Sequence, residues 1–517
     1  MRSVIAAAVA LVAGGVLAGC GSGQPAGTTS TYAGASAPAG SWADANGDLA
    51  NTRDATGSRI TAANVAGLKE AWTFKLSGAA AKGVQDYGSL AAAPIVVNGV
   101  AYLQDLDADV YAISLATGKL RWEYQVSTPE KSGPGPDGVA VAGGVVYGDS
   151  SSAVFALDAA TGTVLWSDGD LLSSGQGSFE IQPAVAAGRV YLASAYGSGP
   201  GGGVILALSA ASGAVLWRFN TVIGSQAGGV KALGVGSGGA WETPLVSADG
   251  SSVTFGTGNP YQSIGEAISH PSRQLYTDSE VNLSAATGQL NWYYQAVPND
   301  FKDYDMQLSP IAATIDGTPA IIGGGKMGYV YAFNASSGAL LWKTPVGAHN
   351  GHDDDSQLLL SHQLSIKLPY TFEPGGFGGI LTNMAVADGS VYLATIDLPL
   401  NMDTLSSVDG VPSANATLAG EIEAVNLATG KVEWDTKVAD MPLGATTVSN
   451  DLVFTTLYNG TLIALNRATG AIVYQRKLPT STNSPIVVTS NAVLVPAGGP
   501  QTHNGGGSPQ LVAYSLS

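Results

Sequence analysis

The sequence has a single cysteine, few charged side chains and only one long apolar run, close to its amino terminus. One cysteine, Cys20, excludes a disulfide within the chain. Lys and Arg number 22 against 39 Asp and Glu, so the formal net charge is −17, and no basic cluster reverses it locally. We therefore expect no nucleic-acid partner, because an acidic surface repels a phosphate backbone.

The apolar run near the amino terminus has the form of a secretory signal. Arg2 precedes 13 residues at 4–16 that are almost all apolar, which is too short for a membrane-spanning helix. Leu17, Ala18 and Gly19 then lead into Cys20, a pattern typical of a bacterial lipobox. The pattern predicts that residues 1–19 are removed and that Cys20 carries a lipid; the alternative is an ordinary secretory signal with a chance cysteine.

The stretch that follows, residues 20–40, has almost no large apolar side chains and is rich in Gly, Ser, Pro and Ala. Such a composition predicts a flexible tether between the lipid and a folded unit at 41–517. No later segment approaches the roughly 18 apolar residues that a membrane span needs. We therefore expect an extracytoplasmic protein that is held to the cell membrane by its lipid alone.

Glycine is abundant, with 69 residues, and seven segments of the folded unit repeat one pattern. Each reads apolar, x, apolar, a few small or polar residues, Gly, x, apolar, x, aromatic, and the aromatic can pack between adjacent blades. The segments lie at 111–124, 155–168, 206–219, 281–294, 331–344, 423–436 and 463–476. The pattern predicts a β-hairpin, because the Thr/Ser-Gly step supplies the positive φ of a tight turn. Another pair of short strands precedes each hairpin, which gives four-stranded antiparallel units.

An eighth unit is divided between the two ends of the folded part. Residues 65–76, with Trp72, and residues 511–516 each read as a strand. Pairing them in one sheet closes a ring and leaves no exposed sheet edge. We therefore predict an all-β, eight-bladed β-propeller; the alternatives are a seven-bladed ring and an array of β-sandwiches.

The repeats and the start of the folded unit together resemble the pyrroloquinoline quinone (PQQ) dependent, or quinoprotein, alcohol dehydrogenases. The matching residues at this start are Trp42, Gly47-Asp48, Asn51-Thr52-Arg53, Asn64-Val65, Leu68 and Ala71-Trp72. The resemblance extends from about Ser41 to the carboxyl terminus. It implies a PQQ cofactor, a calcium or lanthanide ion, a small-molecule or polymeric alcohol as substrate, and an electron acceptor that the sequence leaves unidentified.

Trp241 is the one tryptophan of nine without a place in the repeats, the split unit or the amino-terminal lead. It precedes the sequence Gly258-Asn259-Pro260. In the quinoprotein family that the chain resembles, a tryptophan at this distance before Gly-Asn-Pro forms the floor on which the planar cofactor stacks. Trp241 matches this tryptophan, and Asn259 matches an asparagine that is a metal ligand in the family. Taken alone, the two residues also fit a core tryptophan beside a turn.

The segment 298–305, PNDFKDYD, is acidic. By resemblance, Asp303 matches the catalytic aspartate, which is also a metal ligand, and Asp305 matches the second aspartate of lanthanide-using members. In an extended stretch the two carboxylates would point the same way, toward one ion. Lys326 matches a cationic residue that contacts the quinone and polarises its reactive carbonyl. The alternatives are a solvated acidic loop and a lone surface lysine.

Two departures weaken the resemblance. Residues 195–203 hold no carboxylate where the family has a glutamate metal ligand, and residues 131–141 hold no arginine where it has a cofactor contact. The adjacent cysteine pair of many members is also missing. Either Asp305 compensates in a rebuilt metal site, or the protein is a non-catalytic scaffold like the lipoprotein of outer-membrane barrel assembly. A metal site at His349, His352 and Asp353 is a weaker alternative to a polar, mobile loop.

Overall fold

A computed structural model describes residues 40–76, 88–126, 135, 137–195, 197, 202–223, 238–413, 416–499 and 507–516. Secondary structure there is almost entirely β, with one 3₁₀ turn (Val65–Gly67) and two six-residue helices, α1 (Ile264–Ser269) and α2 (Asp355–Leu360). None of the helices described combines the length and the hydropathy that a transmembrane span requires. The predicted lipid site, Cys20, and the tether lie outside the described residues.

The strands of the first half are β1 (Lys69–Lys75), β2 (Ile95–Val97), β3 (Val100–Gln104), β4 (Val110–Ser114), β5 (Leu120–Tyr124), β6 (Ala140–Ala142), β7 (Val145–Asp149), β8 (Val154–Asp158), β9 (Val164–Asp168), β10 (Ser178–Phe179), β11 (Ala184–Ala186), β12 (Arg189–Ala195), β13 (Val204–Ser209), β14 (Val215–Asn220), β15 (Leu245–Val246), β16 (Ser252–Gly256), β17 (Ser279–Ser284) and β18 (Leu290–Gln295). Those of the second half are β19 (Ile311–Ile315), β20 (Thr318–Gly325), β21 (Tyr329–Asn334), β22 (Leu340–Pro345), β23 (Tyr370–Phe372), β24 (Ala385–Ala387), β25 (Ser390–Ile396), β26 (Leu400–Met402), β27 (Val411–Pro412), β28 (Gly420–Asn426), β29 (Val432–Val438), β30 (Thr447–Ser449), β31 (Leu452–Leu457), β32 (Thr461–Asn466), β33 (Ile472–Lys477), β34 (Val487–Val488), β35 (Ala492–Ala497) and β36 (Gln510–Ser515).

Apart from β23, β26 and β27, these strands form repeated antiparallel sheets, and in each sheet four strands are hydrogen-bonded one to the next. Among the described residues the paths are β2-β3-β4-β5, β6-β7-β8-β9, β11-β12-β13-β14, β15-β16-β17-β18, β19-β20-β21-β22, β24-β25-β28-β29, β30-β31-β32-β33 and β34-β35-β36-β1. In the third sheet the short strand β10 also pairs with β12. The predicted four-stranded antiparallel units are confirmed.

Each predicted hairpin has the expected turn and one register shift. The seven repeat glycines all have positive φ, between 66° and 74°. The register shifts immediately before each turn, as at Ala112/Ile113 in the first repeat. The glycine is required for a second reason, because a side chain at that position would overlap the tryptophan of the preceding sheet, as at Gly288 against Trp217.

Seven tryptophans join neighbouring sheets. Each indole N–H donates a 2.8–3.0 Å hydrogen bond to a turn carbonyl of the next sheet: Trp72 to Leu115, Trp122 to Ala159, Trp166 to Ala210, Trp217 to Ala285, Trp292 to Ala335, Trp342 to Leu427 and Trp434 to Arg467. These tryptophans therefore pack between neighbouring blades, and their hydrogen bonds make the packing directional.

The predicted split sheet is also present. Strand β1 pairs antiparallel with β36, from Lys69 opposite Ser515 to Lys75 opposite Gln510. A ring of such sheets is a β-propeller. The eight four-stranded paths of the described residues agree with eight blades, and the blade count itself stays a prediction.

The longest interval between repeat glycines, from Gly338 to Gly430, contains an insertion. It holds α2 and a three-stranded sheet in the order β23-β26-β27. Phe372, Leu398, Leu400 and Met402 of this insertion share a buried apolar cluster with Tyr304. The insertion therefore packs on the segment that carries Asp303.

Candidate active site

A cavity of about 780 Å³ is lined by residues from sheets around the ring and from the insertion. Trp241, Asp303 and Lys326, three of the predicted site residues, all line it. Asp305 and Asn259 are buried directly behind them, in contact with Lys326 and Asp303. The structure thus brings together residues that are up to 85 positions apart in the sequence.

Trp241 is partly buried, and one part of its ring is covered by the chain itself. A Cβ placed on Gly258 would lie 2.7 Å from Cη2 of Trp241, so the absence of a side chain at Gly258 lets the ring pack there. The indole also borders the cavity. This is the arrangement expected of an aromatic floor for a flat ligand.

Asp303 and Asp305 both contact one cation, but this cation is the ammonium of Lys326 and not the predicted metal ion, and the backbone is not extended. Nζ of Lys326 lies 2.7 Å from Oδ2 of Asp303 and 2.6 Å from Oδ2 of Asp305. Asp303 has a φ of +63°, in the left-handed region, so the strand geometry assumed for this segment is wrong. The left-handed turn at Asp303, rather than strand alternation, places both carboxylates at Lys326.

The backbone around Asp303 is held by its neighbours. Asp300 accepts hydrogen bonds from the backbone N–H groups of Lys302 (3.0 Å) and Tyr304 (2.7 Å), which closes the turn. The hydroxyl of Tyr304 donates to the carbonyl of Pro374 (2.6 Å) in the insertion. The backbone N–H of Lys326 donates to the carbonyl of Asp305 at 3.0 Å, which ties the end of β20 to the same segment.

Asn259 reaches both carboxylates, but with its nitrogen. Its Nδ2 donates to Oδ1 of Asp303 and, at 2.8 Å, to Oδ1 of Asp305, while its backbone N–H donates to the same Asp305 oxygen at 2.6 Å. Its Oδ1 accepts from the backbone N–H of Tyr261 at 2.5 Å. Asn259 is therefore placed where the prediction requires, and coordination of an ion through Oδ1 requires its amide to rotate.

Burial dominates the electrostatics of this group. It raises the pKa of Asp303 well above the usual range, against the opposing effect of Lys326 and with the support of Asp305. Burial by itself would lower the pKa of Lys326, but Asp303 and Asp305 together raise it above its ordinary value. Lys326 is therefore a buried, ion-paired lysine and not the lone surface lysine that was the alternative.

The donor set suits a hard cation in kind but is small. Two carboxylates and one amide converge, and Oδ2 of Asp305 is buried, within ion-pair distance of Lys326 but without the angles of a hydrogen bond. Oxygen donors of this type fit calcium or a lanthanide. In the part of the chain described, no three His, Cys, Asp or Glu side chains are arranged to hold a metal.

The cavity also contains polar residues that the sequence reasoning missed. Glu180, Glu242, Asn383 and Asp409 line it, and Nδ2 of Asn383 donates to Oε2 of Glu242 at 2.7 Å. Burial raises the pKa of Glu180 and of Glu242 to about 7 and that of Asp409 to about 6. Glu242 follows Trp241 directly, which was the only available signal; Asp409 lies in the longest interval between repeat glycines.

Two buried atoms of the lining lack hydrogen bonds. They are Oε1 of Gln307 and Oγ1 of Thr382. Together with the Trp241 floor they fit a flat ligand with polar edges. The charge of the lining is less suited to a ligand that carries several negative charges, because the described part of the lining has four carboxyls and only Lys326 as a cation. The raised pKa values of all four carboxyls reduce that conflict, since a protonated carboxyl donates a hydrogen bond.

The two departures from the family pattern are only partly within the described residues, because the loops at 131–141 and 195–203 each contain residues outside them. Glu180 lies close to Gly135 and follows Phe179, which pairs with Ser194 in the sheet. It therefore brings a carboxyl to the side of the cavity that is near these two loops.

In the segment 349–355, the two histidines pair with carboxylates of the same segment. Nδ1 of His349 lies 2.6 Å from Oδ1 of Asp353, and Nδ1 of His352 lies 2.8 Å from Oδ2 of Asp355. The carbonyl of His352 accepts a 2.5 Å hydrogen bond from Lys302. These polar side chains stabilise the start of α2, so the polar interpretation of this loop holds.

The repeated four-stranded sheets, and the cavity that residues of several of them line, define a β-propeller fold. A sequence model of the PQQ family, described as the glucose/ethanol/alcohol dehydrogenase β-propeller domain, matches residues 42–348, more than half of the chain. The chain belongs to this family, and the predicted resemblance is confirmed. A second model, that of the outer membrane protein assembly factor BamB, matches only residues 418–515.

Named relatives agree with this family. The chain is 26% identical to a quinohemoprotein alcohol dehydrogenase of Comamonas testosteroni, over 85% of this chain and 69% of the relative. It is 24% identical to the quinoprotein alcohol dehydrogenase PedH of Pseudomonas putida, over 80% and 78%. Among solved structures, a europium-containing methanol dehydrogenase superposes with a TM-score of 0.76 at 18% identity, covering 93% of this chain and 98% of that one. The last similarity shows the fold alone.

Proposed function

We propose that this protein is an oxidoreductase that oxidises an alcohol with bound PQQ and a metal ion, outside the cytoplasm. The observation that carries the proposal is that Trp241, Asp303 and Lys326 line one cavity, with Asp305 and Asn259 directly behind. The family and the named relatives support the class of reaction.

The roles of the residues follow from their positions. Trp241 offers its indole as the floor for the cofactor, and Gln307 and Thr382 offer unpaired polar atoms at the cavity wall. PQQ supplies the hydride acceptor when it is bound. Asp303 lines the cavity, so we assign it to removing the hydroxyl proton of the alcohol as general base. Lys326 stabilises negative charge that develops beside it.

We propose that Asp303, Asp305 and Asn259 hold the metal ion, whose role is that of a Lewis acid. Attraction scales with the product of charges, so a trivalent ion gains more than a divalent ion from Asp305. We therefore expect a light lanthanide to support turnover better than calcium. Asp305→Ala should remove lanthanide-dependent turnover, and Asp303→Asn should remove turnover with either ion.

Lipid attachment at Cys20, location outside the cytoplasm and a polymeric alcohol as a possible substrate belong to this proposal as well. The lipobox pattern and the tether support the first two. The electron acceptor is unassigned.

The test is reconstitution of the tetherless protein, starting at Ser41, with PQQ and either calcium or a lanthanide. Binding is measured by absorption, and turnover with primary and polymeric alcohols and an artificial electron acceptor. Lanthanide-dependent turnover that Asp305→Ala removes supports the proposal. Calcium-dependent turnover that survives Asp305→Ala would contradict the metal assignment. Failure to bind PQQ with any ion would favour the non-catalytic scaffold, which the comparisons do not favour.

A further inference from the structure

We propose that Lys326 and the metal ion exchange at the same pair of carboxylates, and that Asp409 takes over the lysine when the metal binds. The inference rests on the proposed metal site. It adds a residue, Asp409, to which neither the family pattern nor the sequence assigns a role.

The first step is the occupancy of the carboxylate oxygens. Lys326 lies against Oδ2 of Asp303 and Oδ2 of Asp305, at 2.7 and 2.6 Å. The two Oδ1 atoms accept from Nδ2 of Asn259. The ammonium therefore lies between the two Oδ2 atoms, in the place where an ion that bridges both aspartates through these oxygens would lie.

The second step is charge. Lys326 is 8% exposed and Asp305 is fully buried, so water screens this group poorly. The ammonium brings one positive charge to two negative ones. A divalent or trivalent ion at the same carboxylates would lie close to the ammonium and repel it, more strongly for the higher charge. Displacement of the Asn259 amide would not relieve the repulsion between the ion and the ammonium, so Lys326 is the group that leaves.

The third step is the available second partner. Asp409, which follows β26 in the insertion, lines the same cavity and interacts electrostatically with Lys326 and Asp305. Among the described residues its carboxylate makes no ion pair. Phe377 lines the cavity too, and its ring centroid lies 6.0 Å from Nζ of Lys326. A lysine that swings from the aspartates therefore stays within the cavity, beside an aromatic ring and opposite an unpaired carboxylate.

The experiment measures binding of Tb³⁺ to the cofactor-free protein, by luminescence sensitised through tryptophan and by calorimetry. Lys326→Met removes the competing charge and should tighten Tb³⁺ binding at least tenfold, which equals about 1.4 kcal/mol. Asp409→Asn removes the second partner and should weaken binding roughly threefold, as expected for a single partly screened charge. In the double variant the Asp409 change should have no further effect, because the residue acts only through the lysine.

Matched controls separate local exchange from a change in net charge. Lys343→Met removes an exposed lysine of β22, and Asp403→Asn removes an exposed aspartate of the insertion that does not line the cavity. Neither should change Tb³⁺ affinity appreciably. Thermal unfolding of each variant checks that the fold is kept.

The outcomes are distinguishable from failure of the proposed function. If Asp305→Ala leaves Tb³⁺ binding of wild type and of Lys326→Met unchanged, the metal site itself is wrong. If Asp305→Ala abolishes binding but Lys326→Met does not tighten it, the site is right and the exchange is wrong. If Asp409→Asn weakens binding equally in the absence of Lys326, Asp409 acts directly on the ion and its assigned role is overturned. Binding that appears only in Lys326→Met would show that the lysine blocks the site without moving to Asp409, and would overturn the exchange.

Discussion

Replacing Trp241 with alanine separates a ligand floor from a core tryptophan, and Trp217→Ala is its matched control. Trp217 is 7% exposed and donates a 3.0 Å hydrogen bond to Ala285 of the next sheet. Trp241 borders the cavity and packs on Gly258. We expect Trp241→Ala to abolish tight cofactor binding with a modest loss of stability, and Trp217→Ala to do the reverse.

The magnitudes follow from what each ring contacts. Loss of the Trp217 ring leaves a cavity between two sheets and removes the hydrogen bond to the Ala285 carbonyl, which should lower the free energy of unfolding by about 3–5 kcal/mol. Loss of the Trp241 ring removes one apolar face, roughly 100 Å², from a stacked ligand. At about 25 cal/mol per Å² plus about 1 kcal/mol for stacking, the loss is about 3–4 kcal/mol, or at least two orders of magnitude in Kd.

Binding is measured by titrating the metal-loaded protein with PQQ and following absorption or quenching of fluorescence, and stability by urea unfolding. Trp241→Phe keeps an aromatic face and should retain most of the affinity. If Trp241→Ala unfolds as readily as Trp217→Ala while binding PQQ like wild type, Trp241 is a core residue and the floor assignment is wrong.

Three further predictions concern the anchor, the repeats and the cavity charge. Cys20→Ser should leave the protein unlipidated and released from membranes; retention in the membrane fraction after a high-salt wash would contradict the anchor. Gly288→Ala places a Cβ 2.6 Å from the Trp217 ring at a φ of +70°, whereas Gly99→Ala, at a φ of +72°, meets nothing within 4 Å. In thermal unfolding, the free energy of unfolding should therefore fall by at least about 2 kcal/mol more for Gly288→Ala than for Gly99→Ala. Burial raises the pKa of Glu242 from 4.5 to about 7, so the folded state holds this proton more tightly than the unfolded chain does. Its contribution to stability is therefore present below pH 4.5 and lost as the pH rises to about 7, and Glu242→Gln should remove roughly 1–3 kcal/mol of that pH dependence in urea unfolding of the cofactor-free protein.

The sheet architecture was predictable because it repeats. A Gly that must adopt positive φ and an aromatic a few residues later recur seven times. In the structure each of these glycines makes the hairpin turn and also provides the surface on which the tryptophan of the preceding sheet packs. The split sheet followed from two leftover strands and the requirement that edges be paired. The sheet β23-β26-β27 was not predictable, because it occurs once and its strands have two or three residues.

The site was predictable in membership but not in geometry. Spacing and family pattern selected Trp241, Asn259, Asp303, Asp305 and Lys326, and the structure places these residues close together, while their roles stay predictions. The left-handed turn at Asp303 depends on hydrogen bonds to the Asp300 carboxylate and on packing against the insertion, which no local pattern reports. The cavity carboxyls were missed for a similar reason, since a lone Glu or Asp in a loop has no periodicity that would mark it as buried.

Pairing of β1 with β36 has a consequence for how the chain is made. Lys75 and Gln510 are partners more than 400 positions apart, and β36 lies between β1 and β35 in its sheet. Until β36 leaves the ribosome, β1 has no neighbour and β35 lacks one side, so two sheet edges stay open on an otherwise assembled polypeptide. Such long-range closure is slow compared with local hairpin formation. A chain that lacks β36, whether nascent or truncated before Gln510, should therefore be the aggregation-prone and protease-sensitive species, and pairing of β36 with β1 should be the event that makes the protein resistant.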